Sequence, residues 1–179
     1  GLYEKILQLQ QERETEAEQQ KQATEDDLSS EKGIDYTGLR DLLKAQDWKA
    51  ADRETYEVMI RAVCEQSSDC FTDDELLNFP CADLLTIDRL WVKYSQGRFG
   101  FSVQKKIYTE CGAQLDRKYP GDEIWNKFGD TIGWRVGGDW MSRKSHSFNS
   151  SAPKGHLPIG GWMLFQMWVS LIFYRIETC

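Results

Sequence analysis

An excess of positive charge is what this sequence most plainly lacks: 22 lysines and arginines stand against 29 aspartates and glutamates, a net charge of -7. General nucleic-acid binding needs cations to neutralise phosphates, so that class is excluded. Histidine is scarce, with only His146 and His156. The five cysteines, Cys64, Cys70, Cys81, Cys111 and Cys179, are odd in number and form no CxxC pair. Neither a structural zinc site nor a disulfide framework is indicated, and reduced, mostly buried thiols are expected. No strand alternation is sustained anywhere, which excludes a β sandwich or barrel. The glycine-rich pieces lack both a preceding strand and a following Lys-Ser/Thr, so a phosphate cradle is unsupported.

Catalytic arrangements are equally thin. His146 and His156 lie near Ser145, Ser147 and Ser150, so a Ser-His-Asp set can be written down. Such residues crowd any polar loop, however, and no nucleophile elbow or oxyanion motif accompanies them. The sequence reads as that of a non-enzyme.

What is present is helical periodicity. The 179 residues suffice for one sizeable domain with an appendage. The opening, residues 1–32, holds nine acidic residues against four basic ones, so most of the net charge sits there. Leu2, Ile6 and Leu9 form a stripe that fails at Arg13, Glu16 and Gln20. Two readings follow: a solvated acidic helix, or the end of a longer coiled coil through which the chain self-associates. The chain opens at Gly1 with no signal or transit sequence and is read as a fragment of something longer. Asp26 to Gly33 is read as the boundary, with the main domain over residues 33–179.

Leu39, Leu42 and Leu43, then Trp48, Ala51, Thr55, Met59 and Val63, predict a helical hairpin in which Asp47 caps the second helix. Asp52 falls on or beside the apolar stripe and is read as a capping or core-polar residue, not a catalytic one, with Arg53 and Arg61 as candidate partners. Thr72 to Glu75 is a capping-box signature, and Pro80 restarts the chain. Leu84, Ile87, Leu90, Trp91 and Tyr94 then mark a helix that breaks at Gly97, with Ser102 predicted to cap the next helix, through Cys111. A further helix opens at Pro120 or Asp122 and runs to Gly133, after which residues 135–155 are loop-like. The fold expected is all-α. Leu157 to Tyr174 is an eighteen-residue uncharged run, read as a buried C-terminal helix beginning near Gly161, with a peripheral membrane contact as the competing reading.

The loop from Gln96 to Phe101 sets Arg98 between glycines and the rings of Phe99 and Phe101. These rings either plug the core while Arg98 pairs with a carboxylate, or they serve a flat, apolar ligand carrying acid groups. The residues alone leave both open.

The segments LWVKYSQGRFGFSVQ, Ala152-Pro153-Lys154-Gly155-His156-Leu157-Pro158 preceded by Phe148, and LRDLLKAQDWKAADRET together resemble the genomes-uncoupled-four family of tetrapyrrole-binding proteins. The resemblance covers about residues 35–179. It implies a non-catalytic helical bundle shaped like a cupped hand, binding protoporphyrin IX or its magnesium complex, with bilin or haem as further candidates and no metal site of the protein's own. It also implies a role in chlorophyll synthesis with the large subunit of magnesium chelatase as partner, in the cyanobacterial cytoplasm or the chloroplast stroma. Matched by motif, Val92 and Phe101 would wall the ligand with Arg98 and Phe99 beside them, Phe148 would be the aromatic of a second loop, and Leu157 and Pro158 its close. Where photosynthetic members are expected to carry a polar residue and an arginine after the His-Leu-Pro motif, Gly160 to Phe165 is apolar here, and Arg175 is assigned as the substitute cation.

Overall fold

The computed structural model of the chain describes residues 2–24, 26–63, 71–160 and 166–179. Among them the order is α1 (Leu2–Thr24), α2 (Thr37–Lys44), α3 (Trp48–Val63), α4 (Asp73–Leu77), α5 (Cys81–Tyr94), α6 (Phe101–Glu110), α7 (Asp122–Ile132), β1 (Arg135–Val136), β2 (Asp139–Trp140) and α8 (Gln166–Thr178). The protein is mostly α. The β1–β2 ribbon pairs Arg135 with Trp140 and Val136 with Asp139, around a Gly137-Gly138 turn in which both glycines have positive φ, as tight hairpins require.

Local signals place most helix ends. Asp47 accepts the Ala50 N–H at 3.1 Å, and Thr72 and Glu75 form the reciprocal capping box, satisfying donors that a helix start leaves open. One cap differs from expectation. Gly100, not Ser102, precedes α6, and the Ser102 N–H donates to Asp88 of α5 at 2.8 Å. A carboxylate from a neighbouring helix does the capping. Burial of Asp88 pushes its carboxyl pKa up, opposed by the hydrogen bonds from Ser102.

Aromatic groups tie the core together, two of them near the site's supporting helices. Trp48, Trp91 and Phe99 meet with ring centres 5.4 to 6.4 Å apart, and Trp91 Nε1 donates to Thr55 at 2.9 Å. Tyr108, Phe128 and Phe173 join α6, α7 and α8 at 5.3 to 6.0 Å. Residues 169–173 of α8 are buried, in keeping with the buried C-terminal helix read from the sequence; its proposed start near Gly161 lies outside the described residues. Among the described residues no helix is long and apolar enough to cross a membrane.

Residues 26–34 form a strap along α5. Lys93 donates to Asp26 at 2.6 Å, Arg89 to Asp27 at 2.9 Å and Thr86 to the Ser29 carbonyl at 2.7 Å. Buried Asp83 accepts from Tyr36 Oη and from the Glu31 N–H, both at 2.9 Å, and from Ser30 Oγ. Burial raises the Asp26 carboxyl pKa, yet its bonds to Lys93 and Tyr94 outweigh that and hold it low. The stretch read as a boundary is therefore bound to the domain. Beyond it, Tyr3, Ile6, Leu7 and Leu9 of α1 are exposed.

One expectation is corrected. Cys81 and Cys179 form a disulfide with Cα atoms 5.3 Å apart across 98 residues of sequence. Spacing carries no trace of a pair brought together only when the end of α8 reaches the start of α5. Cys111 is free and buried, as expected, while Cys64 and Cys70 lie outside the described residues. Asp52 has the core-polar role read from the sequence: it accepts the N–H groups of Ile159 at 2.6 Å and Gly160 at 2.9 Å, while the candidate partners are engaged with glutamates, Arg53 with Glu57 and Arg61 with Glu54.

Two measurements check these contacts. A Cβ at Gly100, where φ is +130°, would stand 2.9 Å from both Asp88 Oδ1 and Val92 Cγ2, so Gly100→Ala is expected to cost about 3 kcal/mol in denaturant unfolding. A bridge closing so long a loop stabilises by about 2 to 5 kcal/mol, so a reductant should lower the melting temperature of the natural chain and leave that of Cys179→Ser unchanged.

Candidate functional site

The C-terminal end of α5 delivers the chain into residues 95–100, whose shape is set by Ser95: its hydroxyl accepts the Phe99 N–H at 2.9 Å. A second loop, residues 141–160, is knitted to this one. Arg98 Nη2 donates to the Ala152 carbonyl at 2.6 Å, and the Arg98 carbonyl accepts the Gly155 N–H at 2.8 Å. The Gly100 N–H donates to the Leu157 carbonyl at 3.0 Å. From α6, Gln104 Nε2 reaches the carbonyls of Gly155 and Pro158 at 3.0 and 2.8 Å. Asp52, with its two N–H donors, holds the end of the second loop against α3.

The second loop has its own spine. His156 Nδ1 lies 2.8 Å from the Ile132 carbonyl, and His156 Nε2 lies 3.3 Å from His146 Nδ1. Burial, then the neighbouring His156, pushes His146 down to about 4, against a smaller upward pull from the Met141 backbone. Burial lowers His156 as well. Both rings are neutral at pH 7. Of the serines noted near them, Ser145 bonds Ser142 and Ser150 accepts from Trp48.

The residues singled out from the sequence divide into three groups. Arg98, Leu157 and Pro158 take part in the junction of the loops; Val92 and Phe101 stand beside it at Gly100, and Phe99 packs beneath. Phe99 is fully buried against Trp48 and Trp91, and Phe101 and Leu157 are buried too. Arg98 is exposed, and its guanidinium is engaged with a backbone carbonyl, not a carboxylate. Phe148, half-buried, stands elsewhere, on a cavity of about 660 Å³ between the start of α3 and the second loop. Arg175 is remote from both: its Nε donates to the Phe79 carbonyl at 2.8 Å, just before α5, while the first loop follows the other end of that helix, about 20 Å away at 1.5 Å per residue.

The cavity beside Phe148 is lined by Asp47, Lys49, Ala50, Asp52 and Arg53 from the α3 side and by Lys144, His146 and Phe148 from the loop. Asp47 and Asp52 are engaged with backbone N–H groups. Lys49 and Lys144 make no ion pair among the described residues, which leaves two cations beside an aromatic ring. That combination suits a flat apolar ligand with acid groups. The only sequence signal for it was the nearness of Lys144, His146 and Phe148; that Lys49 faces them across the gap is a product of the fold. A second cavity, of about 440 Å³, lies under the strap, lined by Val92 and Leu90 among Asp26, Asp27, Asp88, Arg89, Lys93 and Ser102. Val92 and Phe148 therefore face different openings.

Comparison with known proteins now has a geometry to refer to. Residues 29–174 match a family described as GUN4-like. The chain is 36% identical over 137 residues to a Ycf53-like protein of Synechocystis sp., covering 74% of this chain and 54% of that protein. It is 33% identical over 129 residues to a tetrapyrrole-binding, chloroplastic protein of Arabidopsis thaliana, covering 68% and 46% respectively. The chain thus spans about half the length of the curated relatives it matches. Among solved structures, GUN4 from Chlamydomonas reinhardtii superposes with a TM-score of 0.67 at 30% identity, covering 83% of this chain and 94% of that one. Ligand-free GUN4 of Arabidopsis thaliana superposes with a TM-score of 0.66 over 82% and 99%, and at 22% identity it bears on the fold alone. The family match, the sequence relatives and the shared helical architecture agree: this chain belongs to the GUN4-like family.

Proposed function

We propose that the chain binds a porphyrin-type tetrapyrrole without transforming it, as a sensor, carrier or regulator of tetrapyrrole synthesis. The observation that carries the reading is the cavity beside Phe148, where one aromatic ring stands with Lys49 and Lys144. Its volume of about 660 Å³ lies within the range usual for ligands of this size. A porphyrin is a flat apolar plate with propionates on one edge. Phe148 and Ala50 would take its face, and Lys49, Lys144 and Arg53 its acid groups. Burying roughly 200 Å² of apolar surface is worth about 5 kcal/mol, whereas a propionate paired with an exposed lysine adds at most about 1 kcal/mol. Affinity resides in the apolar contact and orientation in the cations.

The remaining motif residues act by shape. Val92, Phe99 and Phe101 set the first loop, and Arg98, Leu157 and Pro158 bind the second loop to it, so that Phe148 is presented from a fixed base. Arg175 has no part in this arrangement. Protoporphyrin IX and its magnesium complex are the ligands proposed first, with haem and bilin as alternatives. Regulation of chlorophyll synthesis through the magnesium chelatase large subunit follows from the same reading. So does a location in a cyanobacterial cytoplasm or the chloroplast stroma, which the Synechocystis and chloroplastic relatives support.

A second reading rests on α1. Exposed Tyr3, Ile6, Leu7 and Leu9 favour association of the chain through this helix, which would make it an interaction module of a larger protein.

Titration with protoporphyrin IX tests the first reading. A shifted Soret band and quenching of tryptophan fluorescence are expected, with about tenfold weaker binding in Phe148→Ala and a reduced salt dependence in Lys49→Gln/Lys144→Gln. No spectral change, or affinities untouched by all three substitutions, contradicts the assignment. For the second reading, sedimentation of the chain with and without residues 1–24 should show association only when α1 is present; two monomers would dismiss it.

A further inference from the structure

The Cys81–Cys179 bridge stands where three parts of the chain meet. Cys81 is the first residue of α5. Cys179 directly follows α8, its N–H donating to the Arg175 carbonyl at 3.0 Å. The strap reaches the same point through Glu31, whose carboxylate accepts the Ala82 N–H at 2.8 Å. The bridge lies at the surface: Cys179 is exposed and Cys81 half-buried, whereas free Cys111 is buried. An exposed disulfide can be reached by an attacking thiol, and such bridges are the labile or regulatory ones.

Contacts other than the bridge keep most of α8 in place. Val169, Leu171, Ile172 and Phe173 are buried, Phe173 packs against Tyr108 and Phe128, and Arg175 Nε donates to the Phe79 carbonyl at 2.8 Å. The final residues differ. Glu177, Thr178 and Cys179 are exposed, and among the described residues they are joined to other helices by the bridge and by an ion pair of Glu177 with Lys105. A pair so near the surface contributes little. Opening the bridge therefore leaves α8 packed and its last turn loose.

We propose that Cys81 and Cys179 form a reversible dithiol–disulfide switch, opened in the folded protein by a dithiol reductant and fastening the last turn of α8 to the start of α5 only when oxidised. The inference rests on the location proposed above, a reducing compartment in which disulfides are usually transient or redox-sensing, and takes nothing from the tetrapyrrole site. Exchange begins at exposed Cys179: a thiolate of the reductant attacks its Sγ, the S–S bond breaks, and Cys81 leaves as a thiolate. The second thiol of the reductant then displaces Cys179 from the mixed disulfide. Two electrons and two protons pass to the cysteine pair, and the reductant ends as a disulfide.

The test uses the full chain without ligand, so its outcome is separate from that of the porphyrin titration. The protein is held under native conditions with dithiothreitol or with a thioredoxin-type dithiol protein, and its thiols are alkylated and located by peptide mass. Cys81 and Cys179 should become labelled together while Cys111 stays protected, and oxidised glutathione should restore the bridge. Amide exchange at residues 177–179 should be about tenfold faster in the reduced than in the oxidised protein, and equally fast in Cys81→Ser without reductant, with residues 169–173 within about twofold. Labelling of Cys81 and Cys179 only in step with Cys111 would mean that the bridge opens only when the whole fold does, and overturns the proposal. Unaltered exchange at residues 177–179 after reduction overturns it too, as does failure of the bridge to re-form. Should Cys81→Ser fail to fold, the natural protein in its two redox states supplies the comparison alone.

Discussion

Two backbone hydrogen bonds, from Gly100 N–H to the Leu157 carbonyl and from Gly155 N–H to the Arg98 carbonyl, join segments more than fifty residues apart in the chain and fix everything near the site. The first loop needs Gly100 because its φ of +130° and its approach to Asp88 and Val92 leave no room for a side chain. With that loop set, the C-terminal part of the second is held from two sides: by Arg98 and Gln104 on one, and by Asp52 with the N–H groups of Ile159 and Gly160 on the other. His146 follows a short 3-10 helix, Arg143–Ser145, and meets His156 of the tied part at 3.3 Å, with Phe148 two residues further on.

This division of labour separates the buried aromatics from the residues proposed to bind. Phe99 completes the ring cluster with Trp48 and Trp91, and through Trp48 Nε1 and Ser150 Oγ that cluster also touches the second loop. The core thus stiffens the base on which the cavity rests. The cavity takes its charge from Lys49 and Lys144, which make no ion pair among the described residues.

Much of the fold could be read from periodicity and caps, because those are local. The Thr72–Glu75 box, the Asp47 cap, the break after Tyr94 and the helix opened by Asp122 all depend on neighbours within four residues. What escaped reading was long-range. Cys81 and Cys179 are distant until α8 packs, the N–H groups taken by Asp52 come from the second loop, and the strap looked like a linker because its carboxylates find Arg89 and Lys93 only after folding. The same limit applies to the site. Sequence motifs pointed to both loops, which the fold joins by hydrogen bonds, yet did not separate the buried rings of Phe99 and Phe101 from half-buried Phe148, nor place Arg175 at the far end of α5.

The central claim is that a planar tetrapyrrole seats between the first turns of α3 and the second loop. Amide NMR of the labelled chain during addition of protoporphyrin IX tests it most directly. The account predicts that the largest ring-current shifts fall on residues 47–53 and 144–148, with the strap little changed. Shifts gathered instead around Asp26, Arg89 and Val92, with residues 144–148 unmoved, would contradict it.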